Sequence, residues 1–582
     1  MKNYKKVYAA FILASGLILH GCNGIFDDLA INPNQPSMGA YFTSPSAVND
    51  AVMTMYGYMS TQRCLGASGS KTTIIRSDEA SSNSDYGKPG MFGADLNASY
   101  YTIEQPYTLM YTTASQASYI IETAPSVDFS GNEELRNAYM GEAYFWRAFA
   151  HYYLLINFRN ISPIRQMPRN GDDYVRPLEK PAAVWNFIQE DLAHAKELLP
   201  VKGYWDSKNA GGVTKASAAA LLGKAYLYRS GIEQYYGEDK TTFYSEAAKE
   251  FGDIIDGKYG TYDLTKNYAD NFDVAHENNE ESILEFQFLG DVDNAGFNPG
   301  LATSGLAFDS RGLMLPGAGV GYEGVVHNWL YNAFVNSVDK DGYTDIRMFS
   351  TMIFNDLDAS IHLRNDAGGN PVRLEGPGGY KWEELYPAKN GKEGFSTVSN
   401  PLAHPFKAGI RKGIDCSMPT QTEADGTPKL VGVGEGVKEY VYNQPRAHGV
   451  SWRYIRYADV LMMYAEAVVS GGAQASNMTP LQAVNKVRGR ANMSELPSVT
   501  MADIQNERIL EFALEGHRFY DLLRWGKLAS RFTELQESDP NFKKFISADD
   551  FKGFVTNKHE WLPIPINEVN SNPYITENNP GY

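Results

Sequence analysis

One seven-residue pattern occurs twice in the chain and limits its fold more than any other feature. Gly141-Glu-Ala-Tyr-Phe-Trp-Arg147 reappears as Gly223-Lys-Ala-Tyr-Leu-Tyr-Arg229, and Tyr464-Ala465-Glu466-Ala467 is a weaker third echo. Both full copies lie in stretches of helical periodicity. Ala138, Phe145, Phe149, Tyr152 and Ile156 share one stripe around the first, and the small residues of 216–229 surround the second. A small residue at a fixed place on a helix lets a neighbouring helix approach closely. Repetition of that residue predicts helices stacked in series rather than a sheet.

Further helical blocks are readable at 182–199, where Trp185, Ile188, Leu192, Ala195 and Leu199 align, and at 245–255, 452–469 and 501–524. Stacked helical pairs sharing a core are the principle of tetratricopeptide arrays, whose units repeat at about 34 residues. The copies here stand further apart, so insertions separate them, unless they are two unrelated Ala/Tyr-rich helices. Between Gly296 and Val450 the texture changes: about a quarter of the chain holds 23 of its 53 glycines, with few sustained stripes. The expected fold is mostly α. A tetratricopeptide-like repeat scaffold (about 105–260 and 452–530) would carry a long loop-rich insertion (about 270–450) that forms the binding face. No Pro- or Ser-rich linker divides 41–582, which reads as a single domain.

Lys2, Lys5 and Lys6 precede an apolar run from Val7 to Leu19, too short to span a bilayer, which is the anatomy of a secretory signal. The run ends in Leu19-His20-Gly21-Cys22, similar to a bacterial lipobox. Residues 1–21 are thus expected to be a lipoprotein signal peptide, with Cys22 lipidated and 22–40 serving as a tether. A plain secretory signal with a chance cysteine is the alternative. Removing 1–21 takes away three of 52 basic residues and no acid, leaving 49 against 69 and a net charge of −20. This argues against nucleic acid as a partner, since a phosphate binder needs a basic footprint. Cys64 and Cys416 are left in an oxidising compartment, and whether they pair stays open.

Signatures of catalysis are mostly missing. The chain has no Gly-x-Ser-x-Gly, no Walker loop and no His-Glu-x-x-His; His276-Glu277 lacks the second zinc ligand. Carboxylates are too numerous for any pair to indicate glycoside hydrolysis. Asp339, Asp341 and Asp345 form a partial calcium loop without the bidentate acid, so a structural calcium is one reading and a capping turn the plainer one. No other cofactor is expected. Tyrosine is abundant at 38 residues, and Tyr and Trp offer flat apolar faces with polar edges, suited to the C–H face of a pyranose. Trp146, Trp185, Trp525 and Trp561 read as core. Trp205, Trp329, Trp382 and Trp452 are less constrained.

The C-terminal third carries specific segments. Arg456-Tyr457-Ala458-Asp459-Val460-Leu461 runs into Tyr464-Ala-Glu-Ala467. Ala483-Val-Asn-Lys-Val-Arg-Gly-Arg490, Glu507-Arg508-Ile-Leu-Glu511, Glu515-Gly-His-Arg518-Phe-Tyr-Asp521 and Arg524-Trp525-Gly526 follow. The chain closes on Leu562-Pro-Ile-Pro565 and Asn578-Asn-Pro-Gly-Tyr582. In this order, with the lipobox and the Gly-x-Ala-Tyr helices, they resemble the SusD/RagB family of Bacteroidetes surface lipoproteins. That resemblance implies a non-enzymatic, outer-membrane, lipid-anchored protein facing the cell exterior. It would capture oligosaccharides and act as a hinged lid on a SusC-like TonB-dependent transporter barrel. A peptide-binding member of the same family is the alternative, and a surface glycosidase a remote one. The resemblance also implies ligand contacts in two places: Asp78, Asn83, Asp85, Tyr86 and Phe92 in the loop 77–101, and Phe297, Asn298, Arg311, Tyr322 and Trp382 in the insertion. The Arg-Tyr-Ala-Asp and Glu-Arg segments look instead like helix ends and buried charge pairs.

Overall fold

The structure is a computed structural model. It describes residues 42–61, 63–66, 69, 71–82, 96–288, 323–376, 379, 381–385, 407–413, 423–425, 430–432, 438–440, 450–539 and 554–582. Helices dominate: α1 (Pro45–Met59), α2 (Tyr101–Thr123), α3 (Glu133–Phe158), α4 (Pro181–Leu198), α5 (Lys215–Tyr236) and α6 (Tyr244–Ile255) come before the insertion. Within the insertion lie α7 (Asn328–Val335) and the single turns α8 (Met348–Thr351) and α9 (Trp382–Leu385). After it come α10 (Tyr457–Val469), α11 (Pro480–Arg490), α12 (Met501–Glu511), α13 (Arg518–Arg524), α14 (Leu528–Ser538) and α15 (Ile566–Ser571).

Local chemistry sets where several of these begin. Asn132 accepts the Leu135 N–H at the start of α3, with Glu133 and Glu134 in the first turn where the helix dipole favours acid. Reciprocal capping boxes open α5 (Thr214 with Ser217), α11 (Thr479 with Gln482) and α12 (Thr500 with Asp503). The helices stack in order: α1 on α2, α2 on α3, α3 on α4, α4 on α5 and α5 on α6. The series then passes over the insertion, because α6 packs next on α10, and α10 on α11 and α12. The repeated glycine explains the close spacing. A Cβ on Gly141 would lie 2.9 Å from Leu199 Cγ, and one on Gly223 would lie 2.7 Å from Phe251 Cε1. The repeated arginine points to one helix in both copies. Arg147 forks onto Asp191 at 2.7 and 2.8 Å, and Arg229 donates to Asn186 and Gln189 at 2.7 and 2.8 Å, all on α4.

The strands are short. β1 (Ala80–Ser82), β3 (Glu323–Val326), β5 (Ala408–Ile410) and β4 (Met352–Phe354) form an antiparallel sheet in the order β1-β3-β5-β4. β2 (Ser282–Phe286) pairs with β8 (Trp452–Arg456), and β6 (Leu430–Gly432) with β7 (Lys438–Tyr440). The expected helix over 452–469 is therefore corrected at its start. Trp-Arg-Tyr-Ile-Arg alternates as a strand, and Phe286 and Tyr454 of this ribbon pack on Phe149 of α3, 5.6 and 5.3 Å between ring centroids. The expected helix over 501–524 is likewise two helices. The chain turns through positive φ at Leu514 (62°) and Gly516 (84°), a conformation no helix can continue.

Candidate functional site

The sheet edge is positioned by a four-residue strap, residues 76–79, that leads into β1 and is stitched to four distant parts of the chain. Arg76 donates to Asn157 Oδ1 (3.2 Å) and to the carbonyls of His559 (3.2 Å) and Glu560 (3.0 Å), with its guanidinium 3.9 Å from the Phe519 ring centre. Asp78 is fully buried. Arg518 Nε donates to its Oδ1 at 2.9 Å, and Arg518 Nη2 and Arg531 Nε reach Oδ2 at 3.1 and 2.7 Å. Glu79 accepts the Leu514 N–H at 2.9 Å and the Ser77 hydroxyl at 3.2 Å, and its carbonyl accepts the His327 N–H at 2.9 Å.

Adjacent carboxyls in the strap are driven to opposite charge states. Burial alone would raise the Asp78 carboxyl, but the guanidinium of Arg518 and then that of Arg531 hold it below the ordinary range. Burial pushes Glu79 up to about 8, against the weaker lowering from the Leu514 N–H. A split of this kind is the pattern of an acid–base pair in some active sites. Here both groups are sealed in the interior, 0 and 1 % exposed, so they brace the strap and offer no carboxyl to a ligand.

Trp329 caps this arrangement. It sits half-buried in the first turn of α7, donates its indole N–H to the Asp78 carbonyl, and lies 4.3 Å from the Arg531 guanidinium by ring centre. In the sheet register Ser82 pairs with Glu323. The chain leaves that pair through Asn83 and arrives at it from Tyr322. The two sequence segments expected to carry ligand contacts are therefore continuous in sequence with one strand pair.

The sequence profile described as "SusD family" matches residues 418–582, and one described as "Starch-binding associating with outer membrane" matches 31–227. The chain belongs to the SusD/RagB family. The unmatched stretch, 228–417, takes in α6 and most of the insertion. A SusD-like protein of Bacteroides ovatus is 24% identical over 533 residues, covering 90% of this chain and 83% of its own. Among solved structures, a SusD superfamily protein from Bacteroides vulgatus has a TM-score of 0.66 at 23% identity, covering 93% of this chain and all of its own. A surface glycan-binding protein A from Bacteroides thetaiotaomicron, solved in complex with laminarihexaose, has a TM-score of 0.64 at 19% identity, covering 92% of this chain and all of its own.

On this SusD-family scaffold the expected contacts fall into two groups. Asn83, Asp85, Tyr86, Phe92, Phe297, Asn298, Arg311 and Tyr322 lie outside the described residues, as does Cys22. Asp78 and Trp382 are described, and both are corrections. Asp78 is spent on Arg518 and Arg531, and Trp382, 5 % exposed, is part of the apolar core. The partial calcium loop does not assemble either. Asp339 accepts the N–H groups of Asp341 and Tyr343 and pairs with Arg364, Asp341 accepts from Asn492, and Asp345 is forked onto buried Arg347. Among the described residues no three His, Cys, Asp or Glu side chains are grouped to hold a metal. Cys64 is buried as a free thiol, and Cys416 lies outside the described residues. Sequence reasoning missed Arg531 as the partner of Asp78, 453 positions away. No local signal links residues that distant.

Proposed function

We propose that the mature chain is a surface receptor, anchored through Cys22 in the outer membrane, that holds an oligosaccharide without cleaving it. It passes the sugar to a SusC-like TonB-dependent barrel. One observation carries the reading: a solved structure sharing this fold over 92% of the chain is a complex with laminarihexaose. The chemistry of the sheet edge supports it. Half-buried Trp329 lies against the Arg531 guanidinium just after β3, and β1 and β3 continue in sequence into segments rich in Tyr, Phe, Asn, Asp and Arg, the mixture a sugar site needs. The acidic balance of the chain favours neutral sugars such as laminari-oligosaccharides.

Calorimetric titration of the protein lacking residues 1–22 against plant, microbial and host oligosaccharides tests this. Saturable heat is expected for at least one neutral glycan, with the oligosaccharide recovered unchanged after hours of incubation. Tyr86→Ala and Trp329→Ala are each expected to weaken binding about tenfold, the worth of one stacked ring. Cleaved product would overturn the non-enzymatic reading. A panel that stays silent while peptide mixtures are retained would move the cargo to peptides.

A further inference from the structure

The β1–β3 edge is tied to the body of the molecule through a buried carboxyl with no counter-ion of its own. Glu79 is sealed from solvent, and the cations beside it, Arg518 and Arg531, are paired with Asp78 instead. Its Oε1 accepts the Leu514 N–H at 2.9 Å and its Oε2 lies 3.2 Å from the Ser77 hydroxyl, which also accepts the Glu79 main-chain N–H at 3.1 Å.

These contacts need one proton more than Ser77 can supply. Its single hydroxyl proton has a nearer acceptor, the Ile74 carbonyl at 2.6 Å. Shared between that carbonyl and Glu79, the proton serves both poorly. A proton on Glu79 Oε2 removes the conflict: Glu79 donates to Ser77, Ser77 donates to Ile74, and both bonds are made in full.

The surroundings favour the same state. Burial is the largest influence on Glu79 and raises it, Asp78 raises it further, and the Leu514 N–H, Arg518 and Ser77 lower it, with the carboxyl pushed up to about 8. The other groups on this side are neutral or already paired. His327, just before α7, donates from Nδ1 to the Asp78 carbonyl at 2.7 Å, and burial keeps its ring uncharged. Arg531 is also paired with Glu534, and Glu515, next to Leu514, with Lys412 and Arg456.

The carboxyl reaches the candidate site through the backbone. The Glu79 carbonyl accepts the His327 N–H at 2.9 Å, and the Asp78 carbonyl accepts both His327 Nδ1–H and the Trp329 indole N–H. Ala80, the next residue, pairs with Val326 of β3. Two consecutive peptide groups thus seat Trp329, and their side chains anchor them. Asp78 is locked by two guanidiniums. An ionised Glu79 would be a second anion next to Asp78, shut away from water, and the strap would have to shift to hydrate it.

We infer that Glu79 is a positioning residue of the proposed sugar site: its proton latches the strap to Ser77 and the Leu514 turn and so fixes the Trp329 ring, and losing that proton in mild alkali releases the ring. The effect on binding rests on the glycan-binding reading, whereas the latch itself is read without ligand.

Fluorine spectra of the protein lacking residues 1–22, labelled with 5-fluorotryptophan, test the latch between pH 6 and 9. Trp329→Phe assigns the Trp329 signal by its loss. That signal is expected to move through a one-proton transition near pH 8. In Glu79→Gln it should hold its pH 6 position throughout, because the amide accepts from Leu514 and donates to Ser77 but cannot ionise. Glu142→Gln removes the other buried carboxyl that is pushed up to about 8, and should leave the transition in place. A parent signal that stays still, or one that moves equally in Glu79→Gln, overturns the inference.

Calorimetry with laminarihexaose reads the consequence. With the protonated form the one that binds, the parent's affinity should fall about tenfold from pH 7 to pH 9, since only about a tenth of the molecules keep the proton one unit above 8. Glu79→Gln should bind evenly across that range. An equal fall in both proteins overturns the positioning role. A panel of neutral glycans that gives no heat at any pH takes down the proposed function, and the Trp329 transition still decides the latch.

Discussion

The N-terminal helices and the C-terminal third solve the same packing problem by different physics. Between α2 and α6 the contacts are mainly apolar and shape-matched: Phe145, Trp146, Phe149, Tyr152, Trp185 and Tyr228 are sealed in the core, glycines set the helix spacing, and buried charges such as Arg147 with Asp191 and Arg159 with Glu233 come as single pairs rather than a linked array. The C-terminal third is held by charge. Arg456 meets Glu281, Glu511 and Glu515 at 2.6, 2.6 and 2.9 Å, and Arg347 meets Asp345, Glu507 and Glu511 at 2.7, 2.5 and 3.0 Å. Arg490, Arg508 and Arg524 extend this buried array through Glu281, Asp459, Asp521 and Glu466. The charged region is the one that must join the insertion, which supplies Glu281, Arg347 and Lys412, to helices far away in sequence. Apolar packing tolerates sliding. A forked arginine accepts one geometry, so it sets how the insertion sits on the stack.

The largest effect should come from breaking the charged region. Arg456→Met removes one cation from three buried carboxylates and should cost about 3–5 kcal/mol, because the anions left behind lose their compensation. A urea unfolding midpoint within error of the parent would show that the array adds no stability. A smaller effect is expected from volume in the apolar region. Gly223→Ala should cost about 1–3 kcal/mol by driving a methyl into Phe251. Gly57→Ala on α1, with open space around it, should be neutral or gain up to about 1 kcal/mol. Equal midpoints for the two alanine variants would mean that the repeated glycine does not set helix spacing.

The smallest effect separates the two regions by pH. Glu142, in the apolar half, has only the Tyr56 hydroxyl at 2.6 Å on one oxygen and no partner on the other. Burial pushes its carboxyl up to about 8, so it is protonated at neutral pH. A raised carboxyl contributes stability that is complete below about pH 4.3, the value in an unfolded chain, and is lost as pH rises through 8. Glu281 and Glu511 run the other way. Burial would raise them, but Arg490 and Arg456 hold them low, so their contribution is present at neutral pH and lost on acidification. Glu142→Gln should change stability at pH 7 by no more than about 1 kcal/mol. Measured by thermal unfolding at pH 5, 7 and 9, the variant should gain relative to the parent as pH rises. A constant difference across that range would mean Glu142 does not titrate there.

How much could be read in advance followed the range of the interaction. Trp146 and Trp185 are core, as their helical stripes required, and the Arg-Tyr-Ala-Asp and Glu-Arg segments are buried charge pairs. Of the four less constrained tryptophans, Trp205 and Trp382 are buried, while Trp329 and Trp452 keep part of the ring uncovered. Nothing around them in sequence separates these cases. Trp205 is buried because its N–H reaches the Val213 carbonyl and Gly212 lies under its ring. Trp452 is only half-buried, although Gly516, some 60 residues later, passes close to its ring.

The amino-acid order by itself determined the mostly helical class, the stacked repeat and its glycine spacing, the family, and which charged segments would be buried. Each of these depends on residues within a few turns of one another or on a motif that stays contiguous. Only the tertiary structure decided that Asp78 is bound by Arg518 and Arg531, that β1 and β3 bring two distant segments to one edge, and that Trp205 and Trp382 are buried while Trp329 and Trp452 stay partly uncovered. Those outcomes depend on contacts across hundreds of residues. They arise when the stack has formed and the ion pairs have chosen among many chemically equivalent partners, and no local pattern records that choice.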